Sequence, residues 1–164
     1  MKAALALVAL AACGTPPPVW EVDAGPCQPY VTTANMMMPT VSFKTDVMPV
    51  FAASCSSSSC HGITDSPRGG LFLGAELKHG ADASTVYTGL VGKASPQLPE
   101  MPFVTASDPS KSYLMHKLDG DQCMFETSCV GGDCQKSMPY DTGALSIENR
   151  DVIRRWIAQG ATQN

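Results

Sequence analysis

Seven residues in the middle of the chain, Cys55-Ser56-Ser57-Ser58-Ser59-Cys60-His61, constrain the fold more than any other stretch. Two thiols five residues apart, with an imidazole directly after the second, must be presented on one turn. The four serines between them suit an exposed, flexible bulge. A helix leads into this turn. Phe43, Val47, Val50 and Phe51 recur at helical spacing, so residues 42–54 are expected to form an amphipathic helix that Pro49 kinks or ends. Residues 62–81 are Gly-rich and irregular. Residues 82–91 read as a short helix with Val86 and Leu90 inward, and 92–107 as loop. Asp108-Pro109 reads as a helix start, with Tyr113, Leu114 and Leu118 on the apolar face. Residues 119–144 read as a Gly- and Cys-rich loop. Ser146 is placed to cap a last helix bearing Val152, Ile153, Trp156 and Ile157 in one stripe, with Gly160 ending it. Strand patterns are weak and there are no internal repeats. With 14 Gly and 13 Pro, the chain should be mostly α, a few helices joined by long loops. Loops of that length are unusual in a compact domain unless something besides side chains fills the core. An apolar content of 44% is enough for a packed core.

The N-terminus addresses the chain rather than folding it. Lys2 precedes an apolar run from Ala3 to Ala12. That run is too short for a membrane-spanning helix, which needs about 20 residues, and it reads as an export signal. The ending Leu10-Ala11-Ala12-Cys13 resembles the lipobox of bacterial lipoproteins, which implies cleavage after residue 12 and acylation of Cys13. Residues 13–40, with Pro16-Pro17-Pro18, Gly25-Pro26, Pro29 and Pro39, read as a Pro-rich tether, and the domain as 41–164. Met36-Met37-Met38 within the tether is expected to pack onto the domain rather than to supply soft metal ligands. Removing Lys2 with the leader takes the formal net charge from −4 to −5. There is no basic patch, so nucleic acid is not an expected partner.

The spacing of the central motif has a chemical reading. In the signature C-x-x-C-H each thiol bonds one vinyl group of a haem, and the histidine reaches the iron from the same turn. Here the spacer is four residues instead of two. A disulfide beside an incidental histidine is the competing reading of the heptapeptide taken alone. The flanks change the weighting. Val41-Ser42-Phe43 and Asp46-Val47-Met48-Pro49-Val50-Phe51 lead into the motif. Ser112-Tyr113-Leu114 with Lys117-Leu118 follow, then Met138-Pro139, Leu145-Ser146, and Ile153-Arg154-Arg155-Trp156-Ile157-Ala158-Gln159-Gly160-Ala161. In order and register this resembles the small class I-like cytochrome c domains of bacteria over residues 41–162. The resemblance implies a small helical domain with long loops around one covalent haem c, held by Cys55 and Cys60. His61 would be one axial iron ligand, and Met138, in the loop before the last helix, the other. Met101, Met115 and His116 are the rivals for that second position, and His79 reads as solvated.

The remaining cysteines are Cys27, Cys123, Cys129 and Cys134. In an oxidising compartment they suggest two disulfides. Three pairings are possible, and a zinc site on Cys123, Cys129 and Cys134 is the alternative. The expected function is one-electron transfer at the cell envelope, from a periplasm-facing or surface lipoprotein, with an outer-membrane location favoured by Gly14. Its partners would be redox proteins and, through the lipid, the membrane. Two alternatives stand beside it. One is a haem-free lipoprotein of the same fold with Cys55 joined to Cys60. The other is a peroxidase-like haem domain, for which no distal His/Arg pair stands out. An electron-transfer role is expected over catalysis on a substrate of its own.

Overall fold

A computed structural model describes residues 27–75, 82–140 and 142–164. Cys13 and His79 lie outside them. Among the described residues the regular structure is helical: α1 (Met48–Ser54), α2 (Ala83–Leu90), α3 (Tyr113–Asp119) and α4 (Ile147–Ala158), with 3₁₀ turns between them. No strand forms among these residues. The loop after α2 makes only isolated bridges, Val91 with Val104 and Ala94 with Pro102.

The proline expected to disturb the first helix does so in a specific way. Phe43–Val47 is a π-helical turn running directly into α1, with the Met48 N–H reaching back to the Phe43 carbonyl. Pro49 sits in the first turn of α1. Proline has no N–H to give and its ring crowds the carbonyl four residues back, so a wider turn ahead of it keeps the helix going. Ser42 and Asp46 cap the start reciprocally: the Ser42 N–H donates to Asp46 Oδ2 at 2.7 Å, and Ser42 Oγ accepts from the Thr45 N–H at 3.3 Å.

The single helix expected from Asp108 is two elements. Asp108 caps a 3₁₀ turn, Pro109–Lys111, and α3 begins afresh at Tyr113. The reason is tertiary. The first N–H groups of α3 are taken by the preceding loop, Tyr113 N–H by the Pro102 carbonyl and Leu114 N–H by the Phe103 carbonyl, both at 2.9 Å. Ser112 Oγ turns back to the Asp108 carbonyl at 2.8 Å. Gly120 ends α3 at φ +79°, a conformation that suits a residue without a Cβ. The stretch 119–144 also carries more structure than a loop, with 3₁₀ turns at Gln122–Ser128 and Val130–Gly132.

α4 follows the sequence pattern. Ser146 Oγ accepts from the Asn149 N–H at 3.2 Å, and Gly160 follows the helix at φ +104°. Ile153, Trp156 and Ile157 are buried against Phe43, Val47 and Phe51, with Val86 and Leu90 of α2 and Leu114, Met115 and Leu118 of α3 in the same core. Phe43 is the hub, its ring centroid 4.8 Å from that of Trp156 and 5.6 Å from that of Tyr87. Burying each such side chain contributes about 1.5–3 kcal/mol.

Residues 27–40, whose composition reads as tether, lie against this domain. The Tyr30 ring covers the guanidinium groups of Arg150 and Arg154, at 4.5 and 4.9 Å. Thr32 Oγ1 donates to Asp151 at 3.1 Å, Arg155 Nε donates to the Asn35 carbonyl, and Gln159 Nε2 reaches the Met36 and Pro39 carbonyls. Around the methionines the strap is held by its backbone carbonyls, and the expectation that they pack fails at two of the three: Met37 and Met38 are 66% and 62% exposed, and Met36 is half-buried. Disulfides join Cys27 to Cys123 and Cys129 to Cys134. The first fastens the strap to the turn after α3. No helix among the described residues is long and apolar enough to cross a membrane.

Candidate functional site

Cys55 stands at the C-terminus of α1, its N–H bonded to the Phe51 carbonyl at 2.8 Å. The chain then leaves the helix in a closed loop. The His61 N–H returns to the Cys55 carbonyl at 3.2 Å, while Cys60 and Gly62 both donate to the Ser57 carbonyl, at 2.9 and 3.0 Å. Both ends of the heptapeptide are therefore pinned together by backbone bonds. A Cβ at Gly62 would run into the Ser56 carbonyl oxygen, so this position requires glycine. Arg68 braces the loop from outside, its N–H on the Cys60 carbonyl and its Nε on the Ser59 carbonyl.

The motif's reactive groups are in chemically distinct states. Cys55 and Cys60 are free thiols, not joined to each other, whereas the other four described cysteines are paired. Those disulfides consume all three thiols of the alternative zinc site. Among the described residues no group of three or more His, Cys, Asp or Glu side chains is placed to hold a metal ion. Burial, with Cys60 close by, pushes the Cys55 thiol up to about 12, so it stays protonated at neutral pH. His61 Nδ1 lies 2.8 Å from the Leu71 carbonyl oxygen. A carbonyl only accepts, so Nδ1 carries the hydrogen and the neutral ring keeps its lone pair on Nε2. Burial lowers the pKa of His61, against the opposing pull of the Leu71 and Arg68 backbone beside it. An imidazole with one nitrogen fixed on a backbone carbonyl and the other free to coordinate is the usual arrangement of a histidine that ligates a metal.

Met138 is half-buried against the same principal core as Cys55. Its N–H donates to the Lys117 carbonyl at 2.7 Å, which ties the loop before α4 onto α3. Beyond that contact it borders a surface cleft with Asp133, Gln135, Lys136 and Tyr140. The rivals for its role are otherwise engaged. Met115 is buried in the core. Met101 packs into a second cluster, around Leu98, Tyr113 and the Cys129–Cys134 disulfide. His116 has both ring nitrogens occupied, Nδ1 by Asp121 at 2.8 Å and Nε2 by the Ser110 carbonyl at 3.0 Å. That engagement also leaves His116 unsuited to act as a distal acid or base.

The expectation that all four spacer serines are exposed is corrected at one position. Ser57, Ser58 and Ser59 face solvent, but Ser56 is buried, its hydroxyl oxygen within hydrogen-bonding distance of the Phe51 and Leu73 carbonyls. The residues that organise the loop through their backbones, Phe51, Leu71 and Leu73, carry no side-chain chemistry, and nothing in the sequence pattern marks them for that role. Compared with known families, curated proteins and solved structures, the chain matches none of them.

Proposed function

We propose that this protein is a one-electron carrier: an exported, lipid-anchored domain in which Cys55 and Cys60 would bond one haem c, and His61 and Met138 would ligate its iron. One observation carries the reading. Of the six described cysteines, the two left as thiols are those that close on the turn of His61, whose Nδ1 is held by the Leu71 carbonyl and whose Nε2 makes no hydrogen bond among the described residues. Two thiols for two vinyl groups, an imidazole fixed in its tautomer, and a thioether packed on the same core form a donor set suited to such a haem. The bound haem would supply a single electron that iron gains and loses. Thioether ligation favours the reduced state and raises the potential. The protein's part is to hold the ring orientation of His61 through Leu71, to keep the Met138 loop on α3 through the Lys117 carbonyl, and to exclude water with the core around Phe43 and Trp156. The two disulfides fit an oxidising compartment, which is where an exported lipoprotein acylated at Cys13 would reside. Its partners would then be redox proteins of the cell envelope, with the membrane reached through the lipid.

The test is a reduced-minus-oxidised visible spectrum of protein made with a cytochrome c maturation system, followed by acid–acetone extraction. A sharp reduced α-band that survives extraction supports the reading. Protein from a working maturation system that shows no such band sinks it.

A further inference from the structure

Building on the haem reading, we propose that the Ser56 hydroxyl is the positioning group that lets a four-residue spacer present Cys55, Cys60 and His61 to one haem. Four chemically identical residues lie between the two thiols, and the fold treats one of them differently. Ser56 is 1% exposed while Ser57, Ser58 and Ser59 face water. Its Oγ lies 3.0 Å from the Phe51 carbonyl and 2.8 Å from the Leu73 carbonyl. The Phe51 carbonyl already accepts from the Cys55 and Ser56 N–H groups, at 2.8 and 3.0 Å, which occupies both its lone pairs. The single hydroxyl proton therefore belongs to Leu73.

That assignment links the two ends of the motif through a third segment. Residues 71–73 act as a common rail. The Leu71 carbonyl holds the His61 ring, the Leu73 N–H donates to the His61 carbonyl at 2.9 Å, and the Leu73 carbonyl holds Ser56. Cys55 and His61 are thus placed relative to one stretch of backbone, whatever the length of the bulge between them. The surroundings are cut to the same shape. A Cβ on Gly62 would strike the Ser56 carbonyl. The additional spacer residues are then absorbed at Ser57–Ser59, out in solvent. Attachment itself is an addition: each S–H bond breaks, sulfur joins one vinyl carbon and hydrogen the other, and no oxidant is consumed. What it needs from the chain is placement of both thiols.

The experiment compares the full chain with Ser56→Ala and with the triple variant Ser57→Ala, Ser58→Ala, Ser59→Ala. Covalent haem per chain is measured after maturation, and maleimide labelling of Cys55 is timed on haem-free protein. Ser56→Ala should lose about five-fold in attached haem, as expected for one lost buried hydrogen bond, and should label faster at Cys55. The triple variant should match wild type in both. A second pair keeps every serine: a glycine inserted after Ser58 should preserve attachment, and one inserted after Cys55 should reduce it. The proposal is overturned if Ser56→Ala behaves like the triple variant in both measurements. Should Ser56→Ala not fold, the insertion pair decides, and equal haem in the two overturns the proposal. Wild type without haem instead overturns the haem reading, and equal Cys55 labelling in Ser56→Ala and the triple variant then overturns the role of Ser56 separately.

Discussion

At the scale of single residues, the site depends on which polar atoms are already committed. His61 follows the loop after α1 and His116 lies in α3; among the described residues the first engages one ring nitrogen and the second both. Met138 differs from Met115 in the same way: it sits at the edge of the core beside a cleft, where Met115 is wholly inside. On the proposed reading, Met138→Ala should leave haem attached and lower the midpoint potential by on the order of 100 mV, a modest part of the ~0.8 V that axial ligands command. Redox titration checks this, and an unchanged potential with an unchanged ligand spectrum removes Met138 from the ligand set. His116 makes a separate prediction about pH. Burial by itself would lower its pKa, but Asp121 in contact, the Ser110 carbonyl and the charge of Asp119 outweigh burial and raise it. A raised folded-state pKa stabilises the fold fully below the unfolded value of about 6.5 and loses that contribution as pH climbs through the folded value. The stability advantage of wild type over His116→Gln should therefore be larger at pH 6 than at pH 9 in thermal unfolding. Taking the difference between the two proteins removes the opposing effect of Lys117, which burial lowers to about 8.

At the scale of elements, α4 is buried on two faces for two different reasons. Its apolar stripe meets the core. Its other face carries Arg150, Asp151 and Arg154, which are also buried, because the strap at residues 27–40 lies over them. Asp119, at the end of α3, joins this network. It takes Arg154 Nη1 at 3.0 Å and Nη2 at 2.7 Å, and Arg150 Nη1 at 3.2 Å. Asp151 accepts from Arg154 Nε at 3.3 Å. Removing one carboxylate from such a cluster leaves guanidinium charge buried without compensation. Asp119→Ala should cost about 3 kcal/mol in urea unfolding; a loss below ~1 kcal/mol would show that water reaches the arginines freely. The amphipathic pattern of α4 was legible in sequence, since Ile153, Trp156 and Ile157 sit on one stripe. Burial of its charged face was not, because it depends on a segment more than a hundred residues away.

At the scale of the whole molecule, the strap changes what a tether can mean. A Pro-rich stretch with little periodicity reads as a spacer, but from Cys27 onward it is fastened by a disulfide, by the Tyr30 ring and by Gln159. The Cys27–Cys123 bridge closes a sequence separation of 96 residues, a loop long enough for the cross-link to contribute about 2–4 kcal/mol. Replacing both cysteines with serine should lower stability by that amount in chemical unfolding. A variant as stable as wild type would mean that the noncovalent contacts of the strap suffice.

Local patterns in the sequence were enough for α2, for α4 with its Ser146 cap and for the grouping of Cys55, Cys60 and His61, because periodicity, capping chemistry and spacing act over a few residues. The mostly helical class and the positions of α2 and α4 follow from them, as does the expectation of two disulfides among four cysteines. Tertiary structure alone decided which cysteines pair, that the helix expected from Asp108 restarts at Tyr113, that one serine of four is buried, and that the strap covers α4. Each of these depends on which carbonyl, ring or carboxylate from a distant part of the chain arrives at hydrogen-bonding distance. The Leu71 and Leu73 carbonyls are the clearest instance. They orient the candidate site through backbone atoms that every residue possesses, so only folding distinguishes them.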